Sequence, residues 1–188
     1  MLYKIVALLL EVVAGLLTST CLLRWYMQQQ RIPMSVRSGN PLGRFIFALT
    51  DWLVLPLRRV VPAAGGWDTA SLVAAFLLQL AQFTLLWLLA GLAYSYVSVA
   101  VQAVFGLAQV TVSGLTLLVI VYAVLSWVQT QSYLSDLLGR LVSPLLMPVR
   151  RLIPLVGGVD LSPLVLLVLL QIGAIVLAEL QTRVLVLL

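Results

Sequence analysis

The sequence predicts an all-α, polytopic membrane protein: a tandem repeat of helical hairpins with about four transmembrane helices plus two short interfacial amphipathic helices. Three observations lead there. Of 188 residues 63% are hydrophobic, with only 11 basic and 6 acidic residues, and the mean hydropathy is +1.15. That is far from the soluble balance of about half apolar and a quarter charged, and a chain this small cannot bury four wholly apolar helices in a soluble core. Next, the apolar residues gather into runs long enough to cross a hydrocarbon layer of about 30 Å. Finally, the block Pro56-Leu57-Arg58-Arg59-Val60-Val61-Pro62, followed by Gly65-Gly66 and Asp68, returns 92 residues later as Pro148-Val149-Arg150-Arg151-Leu152-Ile153-Pro154 with Gly157-Gly158 and Asp160. The same offset carries Gln79 onto Gln171. One spacing shared by so many positions marks an internal repeat, dividing the chain into residues 1–96 and 97–188.

The first span runs from about residue 5 to 23 and is interrupted by Glu11. A carboxylate at that depth is costly unless protonated, paired or turned into a bundle. It can reach water or a partner near the Lys4 end, bond a neighbouring helix, or line an ion path. Thr20 before Cys21 matches a lipobox poorly, so this run is read as a retained helix rather than a removed signal.

Arg24 to Gly39 reads as a basic, glutamine-rich link, with Pro33 and Ser38-Gly39-Asn40-Pro41 as turn signals. Asn40 can then cap a helix with Pro41 at its first position. The fourteen residues that follow, up to Pro56, are short for a span and suit a helix in the interface. The counterpart runs from Leu134 to Met147, with Pro144 limiting its regular part.

In the repeated block, Pro56 and Pro62 restrict φ and remove donors, so a turn is predicted there. Pro148 and Pro154 repeat the arrangement. Adjacent arginines do not share a helix face. One of Arg58 and Arg59, and one of Arg150 and Arg151, can therefore snorkel to a lipid phosphate while the other reaches a helix end or an acidic partner. Gly65-Gly66 and Gly157-Gly158 let the backbone re-enter the membrane, where Asp68 and Asp160 can cap the next helices.

The second span is about 72–92. The long stretch from Val97 to Val128 is read as an interfacial turn or kink followed by a span over about 111–127. The fourth span is about 163–187. Gln79 and Gln171, with Glu11, form a candidate intramembrane polar site. Arginines 24, 31, 37, 44, 58 and 59 precede the second span and 140, 150 and 151 precede the fourth, whereas the loop near residues 94–102 is uncharged. The positive-inside rule puts both basic connections in the cytoplasm and both termini in the periplasm. Lys4 and Arg183 weigh weakly the other way.

The doubled P-x-R-R-x-x-P-x-x-G-G-x-D pattern, the Asn40-Pro41 pair and the two hydrophobic halves resemble the two-copy bacterial YggT family, which is related to the YlmG family. The resemblance covers essentially the whole chain. It implies a small integral membrane protein of the bacterial inner membrane, in roles ranging over envelope or division support, assembly of membrane complexes, and osmotic or ion homeostasis. The positions that match are Asn40, Pro41, Pro56, Arg58, Arg59, Pro62, Gly66 and Asp68, with Pro148, Arg150, Arg151, Pro154, Gly158 and Asp160. The second half carries Ser143-Pro144 ahead of its block where the first has Asp51-Trp52, so the two hinges are not expected to be equally stiff.

Catalysis is not expected. The chain has one cysteine and no histidine, no nucleophile with its base and no phosphate-binding glycine loop with lysine. An intrachain disulfide is excluded, and no metal or cofactor is expected. The net charge of +5 reads as orientation and headgroup contact rather than nucleic-acid binding. Two readings remain. One is a scaffold or assembly factor whose basic hinges hold interfacial helices on anionic lipid headgroups, with a membrane-protein partner or a homo-oligomer. The other is a component of ion or osmolyte transport.

Overall fold

The computed structural model describes residues 2–34, 40–61, 68–92, 95–128, 132–152 and 160–187. The described residues form six helices: α1 Leu2–Gln29, α2 Pro41–Val60, α3 Thr69–Leu89, α4 Tyr96–Val128, α5 Tyr133–Leu152 and α6 Ser162–Val186. Four of them, α1, α3, α4 and α6, are long and apolar enough to cross a membrane. The remaining two, α2 and α5, are the amphipathic pair that precede α3 and α6.

Three boundaries differ from the sequence prediction. Helix α1 does not end at Leu23 but continues through Arg24 to Gln29, because Arg24 is a packing position, only 2% exposed. It stops in a Schellman turn: Arg31 takes the left-handed region at φ 53, its N–H reaches the Gln28 carbonyl and that of Ile32 the Met27 carbonyl. The stretch 96–128 is one helix of 33 residues, with no separate interfacial turn before residue 111. Gly106 and Gly114 sit inside it without breaking it.

The third difference concerns the block itself. Helices α2 and α5 run straight through Pro56, and through Pro144 and Pro148, for 20 residues each. Proline removes one donor and clashes with a carbonyl one turn back, a local cost that the packing of Val54 and of Val142, Leu146 and Val149 into cores outweighs. The hinge is therefore not at Pro56 or Pro148. Helix α2 ends instead at Val61, extended at φ −111 and ψ 95, as expected of a residue preceding proline. The other hinge residues, Pro62, Gly65, Gly66, Pro154, Gly157 and Gly158, lie outside the described residues.

The chain divides into two units, residues 1–111 with 180–188, and residues 112–179. In the first, Cys21, Val54, Ala70, Ala74 and Ala75 form a buried cluster with Leu53, Leu57 and Leu107 packed around it. Helices α1, α2 and α3 approach one another closely, and the alanines allow it. In the second, Val119, Val142, Leu146, Val149 and Leu166 are the core, flanked by Tyr122, Leu167 and Leu170. Leu166 and Leu167 stand 92 residues after Ala74 and Ala75, so the second unit packs through long side chains where the first packs through small ones.

Candidate membrane-interface site

Helix α2 begins at a built cap. The Asn40 side-chain oxygen accepts from the backbone N–H groups of Leu42 at 3.0 Å and Gly43 at 3.4 Å, and its amide donates to the Pro33 carbonyl. Pro41 opens the helix, where a missing N–H costs nothing. In the second unit Ser132, at the position equivalent to Asn40, accepts from the Ser135 N–H.

At the other end of α2, Arg58 and Arg59 occupy the last turn, where cations favour the negative end of the helix dipole. Their fates separate. Arg58 grips Asp68 with two nitrogens, Nη2 to Oδ2 at 2.8 Å and Nε to Oδ1 at 3.3 Å. Arg59 is exposed and forms no salt bridge among the described residues. The second copy repeats the division: Arg150 pairs with Asp160 at 2.7 Å and donates to the Tyr122 hydroxyl at 3.1 Å, while Arg151 is exposed and likewise unbridged among the described residues. Each block thus closes on itself across ten residues, arginine to aspartate.

The two closures differ in depth. Asp68 is 5% exposed and Asp160 is 29% exposed, although Arg58 and Arg150 are alike at 43%. The first copy is deeper because α1 supplies Arg24. Its Nη1 donates to Thr50 Oγ1 at 2.6 Å and Asp51 Oδ1 at 2.7 Å, its Nε lies 3.8 Å from Asp68 Oδ2, and its guanidinium stacks 4.8 Å from the Phe47 ring centre. One buried cation therefore links α1, α2 and the start of α3.

Asp68 stands at the predicted N-cap of α3, but its side chain makes no capping bond to the helix backbone. Its oxygens are committed to Arg58 and to the Ser71 hydroxyl, which donates to Oδ2. Asp160, less buried, does cap, accepting from the Ser162 N–H at 2.9 Å. Burial raises the Asp68 pKa, but hydrogen bonds from Arg58 and Ser71 and the charges of Arg58 and Arg24 outweigh it and hold the carboxyl below the usual range. Asp160 is likewise held low against its own desolvation, by Ser162 and Arg150.

The polar residues of the spans do not share one environment. Gln79 is 2% exposed and donates to Thr18 Oγ1 at 3.3 Å. A Cβ on Gly106 would stand 2.5 Å from its Oε1, so α4 approaches here only because that residue is glycine. Gln171, its repeat equivalent, is exposed on α6, and Glu11 is exposed on α1. The repeat therefore does not give the two glutamines equivalent surroundings.

The CCB3/YggT family model matches residues 1–89 and 101–181. The chain belongs to that family. Its two matched segments correspond to the two copies of the block. A protein of Escherichia coli K12 named YggT is 34% identical over 176 residues, covering 87% of this chain and 84% of its own. A Pseudomonas aeruginosa relative is 33% identical over 160 residues, 83% and 79% of the two chains. One from Vibrio alginolyticus is 37% identical over 139 residues, 70% and 73%. All three carry names that call them uncharacterized. No solved structure matches the chain at comparable significance.

Sequence reasoning missed Arg24, Thr50, Asp51 and Tyr122 as members of the site. The ten-residue spacing of arginine and aspartate, across a proline and two glycines, was readable in both copies, but the aspartates read as helix caps rather than as partners of Arg58 and Arg150.

Proposed function

We propose that this family member is a non-enzymatic scaffold or assembly factor of the bacterial inner membrane, multi-pass, with both termini periplasmic and α2 and α5 lying at the cytoplasmic headgroups. The observation that carries the reading is the division of labour within each Arg-Arg pair. Arg58 and Arg150 are spent on Asp68 and Asp160, fixing the end of each amphipathic helix beside the span that follows. Arg59 and Arg151 stay outward, placed for anionic phosphate. On α2 the exposed residues Phe45, Trp52 and Leu55 lie along the same outward arc as Arg44 and Arg59, a surface that suits acyl chains beside phosphates. Helix α5 offers a more polar version with Arg140, Met147 and Arg151 exposed.

Retention of anionic over zwitterionic phospholipid by the purified protein, read by native mass spectrometry, tests the reading. Arg59→Ala with Arg151→Ala should lose most of that preference, while Gln79→Leu should keep it. Transport is the second reading, favoured by the buried Gln79 amide between Thr18 and Gly106. Ion or solute flux in liposomes that Gln79→Leu abolishes and the arginine changes spare would replace the scaffold reading with that one.

A further inference from the structure

We propose that Gln171 marks the face of α6 through which two copies of this chain associate within the bilayer. Gln171 is the tenth residue of the 25-residue helix Ser162–Val186, about 14 Å from its start at 1.5 Å per residue and so inside the hydrocarbon layer. Its side chain is exposed, and among the described residues it makes no hydrogen bond. Lipid cannot satisfy a carboxamide, so the group demands a protein partner.

The internal repeat shows what is missing. Gln79 uses Thr18, and the residue 92 positions after Thr18 is Val110, which has no hydroxyl. The second copy kept the amide and lost its acceptor. A second molecule replaces it without any further sequence requirement. The carboxamide is both donor and acceptor, and a two-fold axis sets each residue opposite itself, so paired Gln171 side chains exchange two reciprocal bonds. The surrounding face permits the approach. Leu164, Gln171 and Ala178 follow a seven-residue spacing, with Ala174 between them, and small residues let two spans come close.

The test uses the full chain in liposomes with Cys21→Ala, which removes the natural thiol, and one new cysteine at a time. Gln171→Cys and Leu164→Cys should give disulfide-linked dimers on oxidation. Leu169→Cys and Val176→Cys, on the opposite side of α6, should remain monomeric. Energy transfer between end-labelled copies supplies the second measurement. Gln171→Leu should weaken association roughly three- to tenfold, and Gln171→Asn should retain most of it. Monomer at every α6 position, a crosslink to a different protein, or equal association of the leucine variant and the parent would overturn the proposal.

Discussion

Arg24 is the residue on which the first unit depends most. It is a full charge held at 2% exposure between Asp51 and Asp68, and removing one member of a buried ion pair costs about 3–5 kcal/mol. Asp51 is 41% exposed and rehydrates, so Arg24→Leu should fall at the lower end, read as loss of thermal stability in detergent. Arg24→Lys should recover only part, since an ammonium cannot reproduce the fork toward Thr50 and Asp51. The exposed Arg150–Asp160 pair belongs to a weaker class, about 0–1 kcal/mol and screened by salt. The acid response follows from the lowered carboxyls. The stabilisation from Asp68 and Asp160 is complete above the ordinary carboxylate pKa of about 3.9 and is lost as pH falls through their lower folded values. Asp68→Asn should flatten the acid side of a stability–pH profile, and an unchanged profile would contradict the Arg58–Asp68 geometry.

At the scale of elements, α2 is held at its start by Asn40 and by a close approach to the preceding chain. A Cβ on Gly43 would stand 2.5 Å from the Met34 carbonyl oxygen, a backbone atom that cannot swing aside. Asn40→Ala should cost about 1 kcal/mol, and Gly43→Ala should loosen the same end, both read as faster amide exchange over residues 42–46. Gly106→Ala should push α4 from Gln79 and Phe83, lowering stability without touching the arginine cluster. The asparagine cap was legible because capping is a local event. The passage of α2 and α5 through their prolines was not, because core contacts made by residues distant in sequence decide it. Arg24 hid for the same reason: an arginine after an apolar run reads as a span end until a helix that follows brings Thr50 and Asp51 against it.

Across the whole molecule, membrane class, four spanning helices and the doubled block could all be read from residue pattern, since each depends on composition and period rather than on contact. The inequality of the copies could not. It arises where the repeat pairs alanine with leucine, Thr18 with Val110 and Asp51 with Ser143, and only packing reveals what those exchanges do. One unit is tied by a buried cation, the other by an exposed pair. Denaturant in micelles should therefore release α5 before α2, seen as earlier labelling of Leu138→Cys than of Ile46→Cys in the Cys21→Ala background. The central claim is that both arginine-bearing helix ends lie at the cytoplasmic boundary. In intact cells and inverted vesicles carrying Cys21→Ala, Arg59→Cys and Arg151→Cys should each react with an impermeant thiol reagent only from the cytoplasmic side. Labelling of the two positions from opposite sides would contradict the account.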